Sequence, residues 1–423
     1  MRPDFRLPGP FPPYYPGSRM TTPTDPPSST HPTIPASRAK GCRFAAALLG
    51  VACLMLLAPP APTALAQLVG TLPDSIVQSD FPLSAADKAQ ILEYVKRHAP
   101  ALTGSPDEII QARKALVRPT RSSRVGTAFR VEYADFLTVN PDGAKLRELL
   151  RSPNEQTAIN AAYILGEVGA KPSLDALSAA IKDRDPNRPA VRLTAALGIA
   201  RTFDAVRAPG QSALSRNDAL RALADLESAF RTEPNADVAD ALVAAFDSAT
   251  RIPEDKLPGI RNEAAQRLCS SVQARVKDPN AAGFHRAYAR AAKALFDGVI
   301  NENVNTALSP QAIVQAGGTA GDLVALALRQ AGGSAADGPP PSELCQIVRA
   351  AETLAAYAVR KAAGSPMGAL NLDQSLCGAP SPGGDRPATP ADIEKFKRDA
   401  ARLIGPDGLL CKPPFAFSAD RFR

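Results

Sequence analysis

Few residues of this chain have the chemistry of a general acid or base. Its three histidines are His31, His98 and His285, and they lie far apart in sequence. Hydrolysis or group transfer near neutral pH usually needs a positioned base, most often a histidine. The sequence also lacks an H-E-x-x-H, G-x-S-x-G, Walker or dinucleotide-binding motif in a suitable context. We therefore predict no catalytic residue and no cofactor.

Cysteines offer a second kind of chemistry, and four of them follow residue 66: Cys269, Cys345, Cys377 and Cys411. No C-x-x-C pair or cysteine–histidine cluster has the short spacing of a metal site, so we predict no bound metal. In an oxidising compartment an even number of cysteines indicates disulfides, and four cysteines allow three connectivities. We favour Cys269–Cys345 and Cys377–Cys411, because the second bridge would tie down the last predicted helix. Free buried thiols are the alternative.

A dense run of charge separates two predicted helices. The sequence D-R-D-P-N-R-P at 183–189 is typical of a polar turn. The side chains that we predict to contact a partner there, and at the start of the next helix, are Asp183, Arg184, Asp185, Arg188 and Arg192. Asp183 and Asp185 lack the further oxygen ligands that a calcium site requires. A solvated loop without a partner is the alternative interpretation.

The elements that position these residues are predicted to be helical. Ser84, with Asp87 three residues later, is a helix start signal, and Thr389 followed by Pro390 is another. Phe129–Leu137 is predicted to be a helix, although its alternation also fits a strand. Hydrophobic residues make up 45% of the chain, aromatic residues only 5%, and tryptophan is absent. This composition indicates a core of alanine and aliphatic side chains between packed helices.

A helical pattern recurs after 34 residues. The alignment at this offset pairs Ile159 with Leu193, Ala161 with Ala195, Ala162 with Ala196, and Leu165 with Ile199. A helix predicted over 172–182 lies between the two copies, and residues 146–150 are predicted to end a helix before the first copy. Helix pairs joined by short turns and repeated at such a period are typical of a helical solenoid.

The second copy resembles the second helix of a HEAT repeat, which often has the pattern V-R-x-x-A-A-x-x-L-G. Val191–Ala200 has the sequence V-R-L-T-A-A-L-G-I-A, with Ile-Ala where Leu-Gly is usual. The first copy, Thr157–Gly166, lacks the leading Val-Arg but keeps Ala-Ala and Leu-Gly. The resemblance implies an all-α, HEAT-like helical solenoid with irregular N- and C-terminal helical extensions and an extended surface.

An apolar run near the start of the chain is typical of a secretory signal peptide. The run Phe44–Ala58 has 15 residues; it follows Arg38, Lys40 and Arg43 and precedes the A-L-A sequence at 64–66. We expect cleavage after Ala66. A membrane-spanning helix needs about 20 apolar residues, so an uncleaved anchor is the alternative. The proline-rich residues before this segment are predicted to be disordered.

The sequence therefore predicts seven segments. They are a disordered leader (1–37), a signal peptide (38–66), an N-terminal helical segment (67–140), HEAT-like repeats (141–300), C-terminal helices (301–363), a loop (364–388) and a terminal helix with its tail (389–423).

The net charge of +7 does not indicate a nucleic-acid partner. Residues 1–66 contain six basic and two acidic side chains, which leaves a net charge of +3 for the rest of the chain. Both signs are interspersed there, whereas a nucleic-acid site usually needs a concentrated basic face.

These patterns together predict an exported, non-catalytic scaffold, secreted or periplasmic, that binds a protein or a cell-envelope component along its solenoid surface. Membrane contact is expected only through the signal sequence, if that is not cleaved. The alternative is an envelope-associated hydrolase or enzyme subunit that uses carboxylates, for example on a glycan. Two facing carboxylates in a cleft, one with a strongly raised pKa, would favour the enzyme.

Overall fold

Capping side chains set where two predicted helices begin. In the computed structural model, the Ser84 hydroxyl accepts a hydrogen bond from the backbone N–H of Asp87, and the Asp87 carboxylate accepts one from the N–H of Ser84. Thr389 and Asp392 form the same reciprocal pair. Each pair satisfies two backbone donors that a helix start otherwise leaves without partners. Both predicted helix starts are confirmed.

The structure describes residues 70–423 except 123, 209–212, 279–282, 302–306, 333–340, 365 and 378–388. The predicted leader (1–37) and signal peptide (38–66) lie outside the described residues. All the described residues belong to one unit of the chain, Leu68–Arg423.

Sixteen α-helices form most of the described part of the chain. In order they are α1 (Asp74–Val77), α2 (Ala85–His98), α3 (Pro106–Val117), α4 (Thr127–Thr138), α5 (Leu146–Leu149), α6 (Glu155–Val168), α7 (Lys171–Ile181), α8 (Pro189–Arg207), α9 (Arg216–Thr232), α10 (Ala236–Thr250), α11 (Ile260–Arg275), α12 (His285–Ile300), α13 (Pro310–Gly332), α14 (Pro341–Ala363), α15 (Leu372–Cys377) and α16 (Pro390–Ile404). Short 3₁₀ turns span Ala99–Thr103, Arg118–Arg121, Leu409–Cys411 and Ala419–Phe422.

The all-α prediction is confirmed. None of the described residues lies in a strand. Residues 129–137, whose alternation also fitted a strand, are part of helix α4. Alternation over so short a segment does not distinguish the two structures, and here the packing of α4 against its helical neighbours decides.

Neighbouring helices stack in two rows. The first row contains α3, α6, α8, α10, α12 and α14, and the second row contains α4, α7, α9, α11 and α13. Each helix packs against the preceding one of its row. Helices also pair between the rows, as α7 does with α8 and α13 with α14. This arrangement is a HEAT-like helical repeat array, as the resemblance implied. Both rows continue past Ile300 into α13 and α14.

The positions that the sequence aligned between α6 and α8 have matching burial. Three of the aligned pairs are fully buried, namely Ala161 with Ala195, Ala162 with Ala196, and Leu165 with Ile199. The fourth pair, Ile159 and Leu193, is half-buried at both positions. Small alanines let the helix backbones approach while the larger aliphatic side chains fill the remaining space. Burial of one leucine stabilises by about 2 kcal/mol, so each helix depends on its neighbours for stability.

One predicted helix boundary needs correction. The sequence predicts that residues 146–150 end a longer helix, but α4 ends at Thr138 and α5 is a separate single turn. Lys145, just before α5, has a φ angle of 53°. This left-handed conformation cannot be part of a right-handed helix, so α5 begins as a separate turn after Lys145.

A short helix lies within the predicted loop 364–388. Leu372 and Leu376 of α15 are buried, and the helix packs between α14 and α16. Residues 378–388 of the predicted loop lie outside the described residues.

One disulfide joins described residues, and it differs from the favoured pairing. Cys345 of α14 is bonded to Cys377 at the end of α15, with Cα atoms 6.2 Å apart. Cys269 and Cys411 are free thiols. The predicted Cys377–Cys411 pair is wrong because the packing of α15 against α14 places Cys377 beside Cys345, whereas Cys411 lies at the C-terminal end of α16, with its Sγ atom 3.9 Å from the carbonyl oxygen of Ile404. The predicted Cys269–Cys345 pair is wrong because the Cys269 side chain is buried against Thr319 of α13.

The segment after α16 packs back onto α13, the last helix of its row. Phe415 and Phe422 are buried. A Cβ atom at Gly321 would lie 2.5 Å from Cε1 of Phe422, so only glycine lets that ring contact the α13 backbone. Arg421 donates two hydrogen bonds to the Asp322 carboxylate, at 3.0 and 2.7 Å. These contacts cover one face of α13.

Candidate binding surface

The predicted contact residues occupy the α7–α8 turn, residues 182–188, and the first turn of α8. Oδ1 of Asp183 accepts a hydrogen bond from the N–H of Asp185 at 3.0 Å. Oδ1 of Asp185 accepts one from the N–H of Asn187 at 2.9 Å. Side-chain bonds of this kind hold a turn in shape without any ligand. The two aspartates therefore account for the local conformation of the turn.

Arg188 connects this turn to the preceding repeat. Its guanidinium forms an ion pair with Asp183 at 3.2 Å and donates to the backbone carbonyls of Leu150 at 2.5 Å and Ser152 at 3.3 Å. Those carbonyls follow α5, where helical partners are missing. Only 17% of the Arg188 side chain is exposed, so most of its hydrogen-bonding capacity serves the fold.

Arg192 forms a buried ion pair with Glu233. Nε and Nη2 of Arg192 donate to the two carboxylate oxygens of Glu233 at 2.9 and 3.0 Å, and both side chains are 3% exposed. Nη1 donates to the backbone carbonyl of Asp185 at 2.5 Å. Two parallel hydrogen bonds are the geometry that best offsets the cost of removing both charges from water. Arg192 therefore joins α8, the α7–α8 turn and the end of α9.

This buried polar contact continues into α11. Arg275 donates hydrogen bonds to the backbone carbonyls of Phe230 and Glu233. Its guanidinium carbon also lies 3.9 Å from the centroid of the Phe284 ring. Burial lowers the pKa of the Arg275 guanidinium, but an arginine stays charged at neutral pH. Arg192, Glu233 and Arg275 thus form one connected polar contact between successive helix pairs.

Two of the predicted contact residues, Arg184 and Asp185, are exposed. Arg184 makes no hydrogen bond or ion pair with any described residue. It lies at a cleft of about 310 Å³ between the α7–α8 turn and the end of α9. Lys182 on the same rim pairs with Asp225 at 2.8 Å. The residues around the cleft are Ile181, Lys182, Asp183, Arg184, Arg192, Ser228, Ala229, Thr232, Glu233 and Pro234.

The binding role of the predicted set of five residues stays a prediction. The structure places all of them around one turn, as the sequence indicated. Arg188 and Arg192 are engaged in contacts within the chain, whereas the unpaired guanidinium of Arg184 faces solvent. Of the five, Arg184 is therefore the residue best placed to contact a partner.

The two histidines of the described region lie on different helices, α2 and α12. His98 contacts the Tyr94 ring edge-on, with centroids 4.8 Å apart. Burial, together with the charge of Arg97, lowers the pKa of His98. His285 is buried, with Nε2 3.0 Å from Oε1 of Gln330 and Nδ1 3.5 Å from the Glu343 carboxylate. Both imidazoles thus pack within the helical array.

Two carboxyl groups have raised pKa values, and an arginine binds each. Burial raises the pKa of Asp247, and the nearby Asp297 carboxylate adds to the rise. Arg251 donates to Asp247 at 2.9 and 2.7 Å and reaches Asp297 at 3.4 Å. Burial also raises the pKa of Asp322, the partner of Arg421. Arg251 thus binds the carboxylates of Asp247 and Asp297 and links the end of α10 to α12. This contact between helices accounts for the two carboxylates lying close together.

Two further kinds of feature are absent from the described residues. No group of three or more histidine, cysteine, aspartate or glutamate side chains among them has an arrangement that could hold a metal ion. Within the same part of the chain, none of the helices combines the length and apolar composition needed to cross a bilayer.

Sequence reasoning missed one group of side chains on the surface of the first row. Tyr163 and Glu167 of α6 meet Arg113 of α3, Arg121 of the following 3₁₀ turn, and Arg201 of α8. We call these five residues the Tyr163 cluster. No local motif marks the cluster, because its arginines come from three elements that only the stacking of the row brings together.

Comparisons with known proteins find similarity among solved structures. No protein-family model and no curated protein matches the chain. A designed armadillo repeat protein, YIII(Dq)4CqI, has 14% identity over 62% of this chain and 99% of its own length, with a TM-score of 0.33. Kap121p bound to Pho4p has 15% identity over 80% of this chain and 35% of its own length, with a TM-score of 0.38. Kap121p bound to Nup53p has 16% identity, the same coverage and a TM-score of 0.38.

The chain thus matches about a third of the length of Kap121p. The two rows of stacked helices define the protein as a HEAT-like helical-repeat protein.

Proposed function

We propose that this chain is an exported helical-repeat scaffold that binds a protein partner along the surface of its array and catalyses no reaction. The observation that carries the proposal is the pair of continuous helix rows. In such an array each helix pair buries its core against its neighbours, which leaves a long series of turns and helix faces exposed. Proteins built in this way commonly use that surface for binding.

The ion pairs formed by the buried charged side chains support a non-catalytic role. Arg192 and Glu233 satisfy each other inside the array, and the carboxylates of Asp247 and Asp322 bind arginines. A general acid or base needs access to its substrate, whereas these groups join helices.

Two observations support export. The basic residues, apolar run and A-L-A sequence of 38–66 have the order found in secretory signal peptides. The Cys345–Cys377 disulfide fits an oxidising compartment, since the cytosol keeps most thiols reduced. Both observations support a secreted or periplasmic location.

The α7–α8 turn is the part of the array where we place partner contact. Arg184 presents an unpaired guanidinium at the rim of the cleft. Arginine is enriched at the energetically important positions of protein interfaces. The buried Arg192–Glu233 pair beneath it keeps the turn in place before binding, which limits the entropy lost on association.

The proposal is tested on protein tagged and purified from its native host. N-terminal sequencing of the envelope or secreted fraction should find a chain that starts after Ala66. Affinity capture followed by mass spectrometry should recover the same protein in replicate preparations. The Arg184→Glu variant should recover less of it, whereas Arg360→Glu, a change at an exposed arginine of α14, should not. Cytosolic protein with an intact leader, or the absence of any specifically captured protein, would refute the proposal.

A further inference from the structure

The Tyr163 cluster concentrates positive charge around a single tyrosine. Nη2 of Arg121 donates to the Tyr163 hydroxyl at 2.8 Å. The guanidinium carbons of Arg201 and Arg113 lie 4.7 and 5.2 Å from the centroid of the Tyr163 ring. Arginine lies flat on aromatic rings because the ring face attracts its charge. The stacking orients these guanidiniums without neutralising them.

One carboxylate is shared by two of these arginines. The Glu167 oxygens lie 3.8 Å from Nε of Arg121 and 3.6 Å from Nε of Arg201. Both distances exceed those of a close charge-assisted hydrogen bond, which are about 2.7–2.9 Å. Arg113 makes no hydrogen bond or ion pair with any described residue. The cluster therefore has three positive groups, one negative group and a net charge of +2.

Hydrogen-bond donors also outnumber acceptors in the cluster. Each guanidinium has about five N–H donors, while the acceptors that contact them here are the Tyr163 hydroxyl and the two oxygens of Glu167. Nη1 of Arg201 is buried and has no hydrogen-bond partner in the structure. A donor without an acceptor costs free energy. An added oxyanion would supply acceptors to the donors that remain exposed, chiefly those of Arg121.

The position of the cluster at the end of α6 explains only part of its charge. The C-terminal end of a helix carries a partial negative charge of about half a unit, which favours a nearby cation. Arg130 already occupies this place, since its Nη1 donates to the backbone carbonyl of Val168 at 2.8 Å. Three further arginines exceed what the end of one helix requires.

The cluster is accessible to a partner. The side chain of Arg121 is 61% exposed and that of Arg201 is 37% exposed. The planar fork of a guanidinium matches a carboxylate, with which it can form two parallel hydrogen bonds. From this geometry we infer that the Tyr163 cluster binds a carboxylate of an acidic segment of a protein partner. The inference rests on the proposed scaffold function for the nature of the partner, and it assigns Arg113 and Arg121 as the groups that meet the carboxylate first.

Fluorescence anisotropy on the protein purified from its native host tests this inference. The probe is a labelled peptide of alternating glutamate and serine; matched peptides replace glutamate with glutamine or with phosphoserine. The glutamate peptide should bind, the glutamine peptide should not, and affinity should fall as salt is raised, because screening weakens exposed ion pairs. Arg113→Gln should weaken binding about tenfold, which is the effect expected for loss of one charge-assisted contact.

Arg207→Gln is the matched control. Arg207 is an exposed arginine of α8, in the same row, and it pairs with Asp204. It should change the affinity less than twofold, and thermal melts should show both variants folded. If both variants weaken peptide binding equally, the net charge of the protein explains the effect, and the inference is overturned. So would the absence of glutamate-peptide binding, or binding of the phosphoserine peptide alone.

Affinity capture separates this inference from the scaffold proposal. If wild type and Arg113→Gln recover the same protein equally well, the scaffold proposal stands and the cluster is not its site. If wild type recovers no protein, the scaffold proposal fails. The inference then fails too, because the cluster has no protein partner to bind.

Discussion

A Cβ atom placed on Gly166 of α6 would lie 2.5 Å from the Cα atom of Gly198 of α8. The backbones of two neighbouring helices in the first row therefore touch at this pair of glycines. Real Cβ atoms do not approach backbone atoms so closely, and backbone atoms cannot move aside as the end of a side chain can. This contact sets the spacing of α6 and α8 at the centre of the repeat that the sequence predicted.

Gly166→Ala should destabilise the fold. Alanine normally stabilises a helix relative to glycine by about 0.5–1 kcal/mol, but here its methyl group must separate two helices. We expect a net loss of about 1–3 kcal/mol, as in other overpacked cores, measured by urea unfolding. Gly368→Ala is the control, because a Cβ atom there meets nothing within 4 Å. Equal stability of the two variants would mean that α6 and α8 are further apart than described.

Leu177→Asp should abolish the cooperative unfolding of the array. Leu177 of α7 is fully buried, so the substitution places a charge in the interior and removes the contacts of one leucine. The helical circular dichroism signal should melt at a much lower temperature or over a broad range. Val139→Asp is the control, because Val139 is 54% exposed. A wild-type melt for Leu177→Asp would contradict the assignment of the core.

Arg192→Ala should cost about 3–5 kcal/mol, because it leaves the Glu233 carboxylate buried without a partner. Chemical denaturation measures this loss. The double variant Arg192→Met/Glu233→Gln should recover much of it, since no unpaired charge remains. The control is Arg207→Ala, which removes an ion pair with both side chains largely exposed and should cost less than about 1 kcal/mol. A cost that small for Arg192→Ala would show that the pair is hydrated rather than buried.

The disulfide assignment predicts which thiols react. In the folded protein without reductant, the half-buried Cys411 should be alkylated. Cys269 should react only after unfolding, because its side chain is 5% exposed and burial raises the pKa of its thiol to about 12. Cys345 and Cys377 should appear as one linked peptide in a non-reducing digest. Loss of the bridge in Cys345→Ser/Cys377→Ser should lower stability by about 3–4 kcal/mol, the chain-entropy effect for the 32-residue separation. A linked Cys377–Cys411 peptide would contradict the assignment.

The lowered pKa of Asp80 should account for part of the loss of fold stability at low pH. The backbone N–H of Thr127, and then Arg124, lower the pKa of Asp80. A lowered pKa in the folded state means that the ionised form stabilises the fold above the unfolded pKa of about 3.9. This contribution is lost as pH falls through the folded pKa. Asp80→Asn should therefore lower the Tm at pH 7, and the difference from wild type should shrink toward pH 3. A difference in Tm between Asp80→Asn and wild type that does not change with pH would contradict this account.

The repeat and its caps were predictable because both are local. Ser84 with Asp87 lies within one helix turn, and the alanines shared by α6 and α8 recur at a fixed period. Such signals depend on helix geometry alone. The packing of consecutive helices into one row follows from them, since each apolar face needs a neighbour.

The long-range pairs were not predictable in the same way. Glu233 meets Arg192 across 41 residues, and nothing in either local sequence specifies the partner of a charged residue. The disulfide shows the same limit. The positions of Cys377 and Cys411 on either side of the last predicted helix favoured that pair, whereas the packing of α15 against α14 places Cys377 beside Cys345. The sequence predicted the polar turn between α7 and α8 but could not separate Arg192, which is buried, from Arg184, which is exposed. Partner contact at this turn stays a prediction.

Cross-linking in intact cells of the native host, followed by mass spectrometry, tests the scaffold account most directly. It measures which residues of the folded chain lie next to another protein. The account predicts cross-links from one recurring protein to positions along α6–α10, including the α7–α8 turn. Only intrachain cross-links, in protein shown to be folded and outside the cytoplasm, would contradict it.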